Sequence, residues 1–336
     1  MPTETPHQPA TTQEWTGFAA MPARLFGACM GWCGLALAWH RAEHLSVVGT
    51  HGGAAVLSIS AALVCLVVFA GYGTKIICHT DAVTNDMGDA ARVTFLAGIP
   101  VTLMLLPAIA LSMDSGLATS LFVVGMWCAG AVLHVMLAMV FFHRWVVRPL
   151  PEAGGLWAAA PAWFVPTAGM IVAPFAAVSF GFATTSIALL ALGTLTWVTL
   201  LPFVVHRLVA GDPLPSIVLP GVFVLAAPAA LISLSVAALG GPASVSNGLF
   251  VVAISFACVA TLLVAWRSGD LYRTGFTLGW WSCTFPLAAL AGASLQFHAS
   301  VQTGITHALA LTLLLTATGA IALISILTLR MAIQRR

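Results

Sequence analysis

Two stretches decide the fold: residues 103–111 read LMLLPAIAL and residues 222–232 read VFVLAAPAALI, without a charged or strongly polar side chain in either. A strand of a membrane barrel would alternate apolar and polar side chains at every second residue, and these runs do not alternate. They read as helices. Outward from them the whole chain keeps the same character, with 60% hydrophobic and 7% charged residues, where a soluble domain carries roughly 25% charged residues. A soluble fold is excluded. Stretches free of Asp, Glu, Lys and Arg recur at about 20 residues, the length at which an α-helix crosses a hydrocarbon core of roughly 30 Å.

Ten such spans are expected, at about 24–40, 54–74, 93–112, 118–142, 157–175, 183–206, 215–239, 246–266, 276–295 and 304–329. Residues 1–22 are polar, lack a basic n-region and read as a disordered cytoplasmic tail rather than a signal peptide. Residues 23–330 form the membrane domain and 331–336 a second cytoplasmic tail. The connections alternate between two sets. One holds Arg24, Lys75, Arg92, Arg144, Arg148, Arg207, Arg267, Arg273, Arg330, Arg335 and Arg336, and the other holds Arg41 alone. The positive-inside rule then places both termini in the cytoplasm, which requires an even number of spans in the plasma (inner) membrane.

Odd and even spans differ in kind. Pro100 and Pro107, Pro161, Pro166 and Pro174, Pro215, Pro220 and Pro228, and Pro286 fall in spans three, five, seven and nine, while Pro202 is the comparable residue of the even set. The odd spans start near 24, 93, 157, 215 and 276, a loose repeat of roughly 60 residues in which each unit pairs a broken helix with a regular one. Five hairpins in pseudo-fivefold arrangement follow. Pro100, Pro166, Pro228 and Pro286 are the expected kinks, freeing the carbonyls of Leu96, Ala162, Val224 and Ser282. Lipid cannot satisfy those groups, so the odd helices should surround a common axis. Span one contributes Gly27, Gly31 and Gly34, which permit close helix approach.

Other chemistry finds little support. Six of seven cysteines lie in apolar spans and Cys78 in a loop, so no disulfide is expected. A net charge of +2 with scattered basic residues does not suit nucleic acid. His134 and His307, on even spans, read as neutral imidazoles hydrogen-bonded between helices. His40, Glu43, His44 and His51 cluster in one loop but lack a second fixed pair for zinc, and Cys29 and Cys33 share a face suited to packing. Trp163, Trp266, Trp280 and Trp281 read as an aromatic belt. No nucleotide, hydrolase or metal motif occurs, and neither enzymatic activity nor a cofactor is expected.

Five segments carry a family resemblance: RLFGACMGWCGLALAW from 24, RVTFLAGIPVTLMLL from 92, PAWFVPTAGMIVAP from 161, LPSIVLPGVFVLAAPAAL from 214 and WWSCTFPLAALA from 280. They resemble the tellurite-resistance/dicarboxylate transporter family, which includes the slow-type anion channels of plant guard cells. The resemblance implies a homotrimer in which each subunit has its own pore, lined by the five odd helices and occluded by a phenylalanine of the ninth. Phe285 stands at that position. Met170 follows Gly169 where the family often has Asn, which removes a polar group at that depth.

The expected function is passive permeation of small anions: chloride, nitrate, a dicarboxylate or another oxyanion. No fixed charge lies along the odd spans, so the lumen is left with backbone groups and hydroxyls such as Thr167, Ser216 and Thr284. Arg92 or Arg273 would concentrate anions at the cytoplasmic mouth. The alternatives are a secondary carrier for C4-dicarboxylate, tellurite or sulfite, and, more remotely, an intramembrane oxidoreductase using His134 and His307 as ligands.

Overall fold

The computed structural model describes residues 17–49, 52–147 and 160–334. Arg148, Glu152, Arg335, Arg336, His51 and the first sixteen residues lie outside them. Within the described residues every regular element is helical and no strand occurs.

The even spans are single unbroken helices: Gly53–Cys78, Leu121–Val147, Ala183–Ala210, Ala243–Trp266 and Gly304–Gln334. Pro202 sits inside the sixth without interrupting it. The odd spans are assembled from pieces. The first is a short 3-10 turn, Ala23–Leu25, followed by Phe26–His44, and the third is Ala90–Leu96 followed by Gly98–Met113. The fifth runs through Pro161–Trp163, Phe164–Ala168, the 3-10 stretch Gly169–Val172 and Pro174–Ala177. The seventh is ten residues of 3-10 helix, Ser216–Leu225, continued by Ala227–Ala238. The ninth is Leu278–Trp280 followed by Trp281–Val301. Proline accounts for the breaks of the fifth and seventh spans, where Pro166, Pro174, Pro220 and Pro228 each delete a donor and crowd the turn before them.

Among the described residues, seven helices are long and apolar enough to cross a membrane: the five even spans together with Arg92–Met113 and Ser216–Ala238. Pro161–Ala177 is shorter, and Phe26–His44 and Trp281–Val301 are less uniformly apolar. The protein is thus an all-helical, multi-pass membrane protein.

Each odd span packs on the even span that follows it, and the odd spans also pack on one another in the closed order one, three, five, seven, nine and back to one. Burial reflects this arrangement. In Arg92–Met113 and Ser216–Ala238, 72% and 83% of the residues in the most apolar window are buried, whereas the five even helices show 22–33%. The first span buries twelve of its nineteen residues. Glycine makes the tightest contact: a side chain at Gly31 would collide with Thr284, and a Cβ at Gly34 would lie 3.0 Å from that of Ala288 and 3.1 Å from the Phe285 ring.

At one end of the bundle, charge replaces apolar packing. Lys75 at the foot of the second span pairs with Asp86 at 2.6 Å and donates to the Met21 carbonyl at 3.0 Å. Asp86 also accepts from the Tyr72 hydroxyl at 3.0 Å and pairs with Arg92 at 3.3 Å. The terminal tail expected to extend to residue 22 thus includes a 3-10 turn at Gly17–Ala20 and this contact at Met21.

Candidate functional site

Two cavities lie inside the ring, and residues of all five odd spans line both. The narrow one, about 50 Å³, has almost wholly apolar walls that include Gly27, Phe95, Gly169, Val224 and Trp281. The wide one, about 530 Å³, carries polar groups as well: Ser112 of the third span and His40, Arg41 and His44 of the first. Among the described residues, Phe285 and Leu231 alone line both cavities. Both cavities therefore touch the Phe285 ring and the Leu231 side chain. Phe285 is half-buried, its ring edge set against the bare backbone of Gly34.

The four expected kinks take different forms. Pro100 is three residues past the break at Ala97, Pro166 lies in the one-turn helix Phe164–Ala168, and Pro228 begins Ala227–Ala238 after the 3-10 run. Helix Trp281–Val301 passes through Pro286 without interruption. Proline in the second turn removes one hydrogen bond, to Ser282, and the remaining ladder holds. Pro228 and Pro286 line the narrow cavity, as do Ala162, Val224 and Ser282, three of the residues whose carbonyls a proline leaves free.

None of the three expected lining hydroxyls lines either cavity. Thr284 is fully buried and faces the first span, donating to the Trp281 carbonyl at 2.8 Å and lying 3.3 Å from the Gly27 carbonyl. Thr167 is fully buried and donates to the Trp163 carbonyl at 2.8 Å. Ser216 sits at the start of the seventh span. The hydroxyls that do line the cavities belong to Thr94, Ser282 and Ser112. A helical threonine usually returns its hydroxyl to its own helix, so residue type could not tell lumen from seam.

Neighbouring helices, even and odd, contribute donors that residue type alone does not reveal. In the broken fifth span, the Ala173 carbonyl accepts from the Trp127 indole at 3.1 Å, Thr167 from the Thr196 hydroxyl at 2.9 Å, and Ile171 from the Ser235 hydroxyl at 2.6 Å. These donors come from spans four, six and seven and satisfy carbonyls that lipid would leave bare.

Several other readings need correction. His134 is fully buried with no hydrogen-bond partner at either ring nitrogen, and its ring instead packs on Gly169, where a Cβ would come within 2.5 Å of Cε1. His307 is in the first turn of its helix, edge-on to His298 at 5.3 Å, rather than deep in a span. Trp281 is buried, its indole donating to Thr328 at 3.0 Å, while Trp266 is 91% exposed and suits a belt. Arg92 is engaged with Asp86 and Asp89, and neither it nor Arg273 lines a cavity. Arg24 stands 6.0 Å from the centre of the ring of Phe95, which lines the narrow cavity. Arg41, which sequence reading used only as a topology marker, stands in the wall of the wide cavity.

The arrangement is a pair of cavities within a helical bundle, a narrow one with apolar walls and a wide one whose walls also carry polar groups. A search of curated proteins returned no match. Residues 20–329, nearly the whole chain, match the family model described as SLAC1, voltage-dependent anion channel, and the protein therefore belongs to that family of membrane anion channels and transporters.

Proposed function

We propose that the protein conducts small anions passively along the axis of the five odd spans, and that Phe285 with Leu231 closes this path. The observation that carries the reading is that, among the described residues, these two side chains are the ones that both cavities share. An apolar constriction blocks ions without charge, because water leaves a sufficiently narrow greasy neck and an ion cannot pass dry. The narrow cavity, with its apolar walls, is that kind of neck. Glycine at position 34 leaves room for the ring in its closed position. Weak coordination suits permeation, since an ion must leave as readily as it enters.

The proposal includes ten crossings with both termini in the cytoplasm of the plasma (inner) membrane, and assembly as a homotrimer with one pore per subunit. Support for the orientation comes from the eleven-to-one division of basic residues. On that reading the wide cavity opens outward and the narrow one inward. Single-cysteine probes at Ser115 and Ser244 should react with an impermeant reagent from outside, while probes at Asn85 and Asp270 should react only after the membrane is opened. Asn85 is exposed and serves better than its neighbour Asp86, which is held in the charge cluster.

Planar-bilayer recording of the purified protein under chloride, nitrate and malate gradients tests permeation. Unitary anion currents are expected. Saturable malate uptake into liposomes without such currents would replace the channel by a carrier.

A further inference from the structure

The wide cavity holds one group that permeation through an apolar neck does not use. Arg41, three residues before the end of the first span, is among the described residues the single Lys or Arg in the wall of either cavity. Among the described residues its guanidinium has no ion-pair or hydrogen-bond partner. The nearest carboxylate in sequence is committed elsewhere, since Glu43 Oε1 accepts from the Ala54 N–H at 2.9 Å. His40 and His44 stand in the same wall, and His40 Nε2 lies 2.8 Å from the Ser58 hydroxyl. A half-buried guanidinium without a counter-charge is costly, and an anion removes that cost.

The cavity is large enough to hold one. Its volume of about 530 Å³ falls in the range of small-molecule sites. It extends from Arg41 to the ring of Phe285, which meets the first span at Gly34; seven helical residues rise about 10 Å. Arg41 and the Phe285 ring therefore share one chamber.

We propose that Arg41 forms an anion-capture site in the wide cavity, selective for small planar oxyanions such as nitrate and carboxylates. The chemical reason is the shape of the donor. A guanidinium offers two parallel N–H groups that match two oxygens of a planar oxyanion, whereas chloride can take one position on that fork and gains nothing from its geometry. The site rests on the permeation reading for its purpose, since a captured ion would wait beside Phe285, but it binds whether or not the path past Phe285 opens.

Titration calorimetry on the purified protein in detergent, with nitrate, acetate and chloride as the probes, tests the site independently of flux. The wild type should bind nitrate and acetate more tightly than chloride. Arg41→Gln should weaken nitrate binding by about tenfold or more, the scale of a lost charge-assisted pair. Arg41→Lys keeps the charge and loses the fork, so it should bind nitrate and chloride alike, and it carries the test if Arg41→Gln melts too low to titrate. Unchanged nitrate affinity in Arg41→Gln, or equal nitrate and chloride affinities in the wild type, would overturn the proposal. Arg41-dependent binding in a protein whose Phe285→Ala variant passes no current would uphold the site while removing the permeation reading.

Discussion

The ninth and tenth spans lie side by side and are both apolar, yet they live in different surroundings. The ninth buries twelve of its twenty-one residues, including the unbroken run 288–295, and most of that run is Ala, Gly or Ser. The tenth buries six of thirty-one: Thr306, Ala310, Leu314, Ala317, Ile321 and Ile324, spaced by three or four in a single stripe. The other faces of the tenth are as apolar as the stripe, with Ile305 at 83% exposure. Hydrophobicity therefore does not distinguish an inner helix from an outer one in this molecule. Small residues and prolines do, because they let backbones approach and tolerate breaks that neighbouring helices can repair.

Substitutions can break or sharpen that contrast. The largest effect is expected where an outer helix carries charge inward. The buried stripe of the second span ends in Tyr72 and Lys75, and Asp86→Ala would leave the Lys75 ammonium, 3% exposed, without its carboxylate. Loss of one partner of a buried pair costs about 3–5 kcal/mol, so the melting temperature in detergent should fall steeply. If it stays at the wild-type value, the cluster is not holding the second span to the third. Next comes the inner seam. Gly31→Leu forces a side chain into Thr284 and should cost about 1–3 kcal/mol or more through overpacking. The same melting assay reads it, and a neutral outcome would mean that the first and ninth spans are not packed through glycine.

A smaller loss is expected where the outer ring repairs the inner one. Trp127→Phe keeps an aromatic ring, though a smaller one, and removes the donor to the Ala173 carbonyl, leaving a buried acceptor bare at a cost of about 1–3 kcal/mol. Leu262→Ala, at a residue 71% exposed on the eighth span, should stay within about 0.5 kcal/mol. A loss as large as that of Gly31→Leu would show that this face is covered by another subunit rather than by lipid.

The architecture was largely legible before any coordinates. Prolines marked four of the five odd spans, Gly27, Gly31 and Gly34 marked a close approach whose partner, the ninth span, the structure supplies, and the alternation of hairpins emerged from spacing. Side-chain direction was less legible. Thr284 precedes Phe285 in sequence, yet Thr284 is sealed against the first span while Phe285 lines the cavities, a turn of about 100° per residue that composition cannot orient when every face is apolar. The donors Trp127, Thr196 and Ser235 left no signal, because a tryptophan in a membrane helix reads as an anchor and a hydroxyl as bonded to its own helix. Arg41 was visible only as a charge in a loop, since its place in a cavity wall depends on where the other four odd helices end.

Phe285 is the residue on which the functional reading turns, and replacing it tests that reading most directly. Phe285→Ala should be recorded in planar bilayers beside wild type, with the melting temperature of both proteins measured in detergent. The ring is half-buried between two cavities, so its removal should join them. The expected result is a large rise in anion conductance, a smaller rise for Leu231→Ala, and melting temperatures close to wild type. A packed core phenylalanine behaves oppositely, losing about 3–5 kcal/mol on truncation and opening no path. Unchanged conductance in Phe285→Ala together with a clearly lowered melting temperature would contradict the gate.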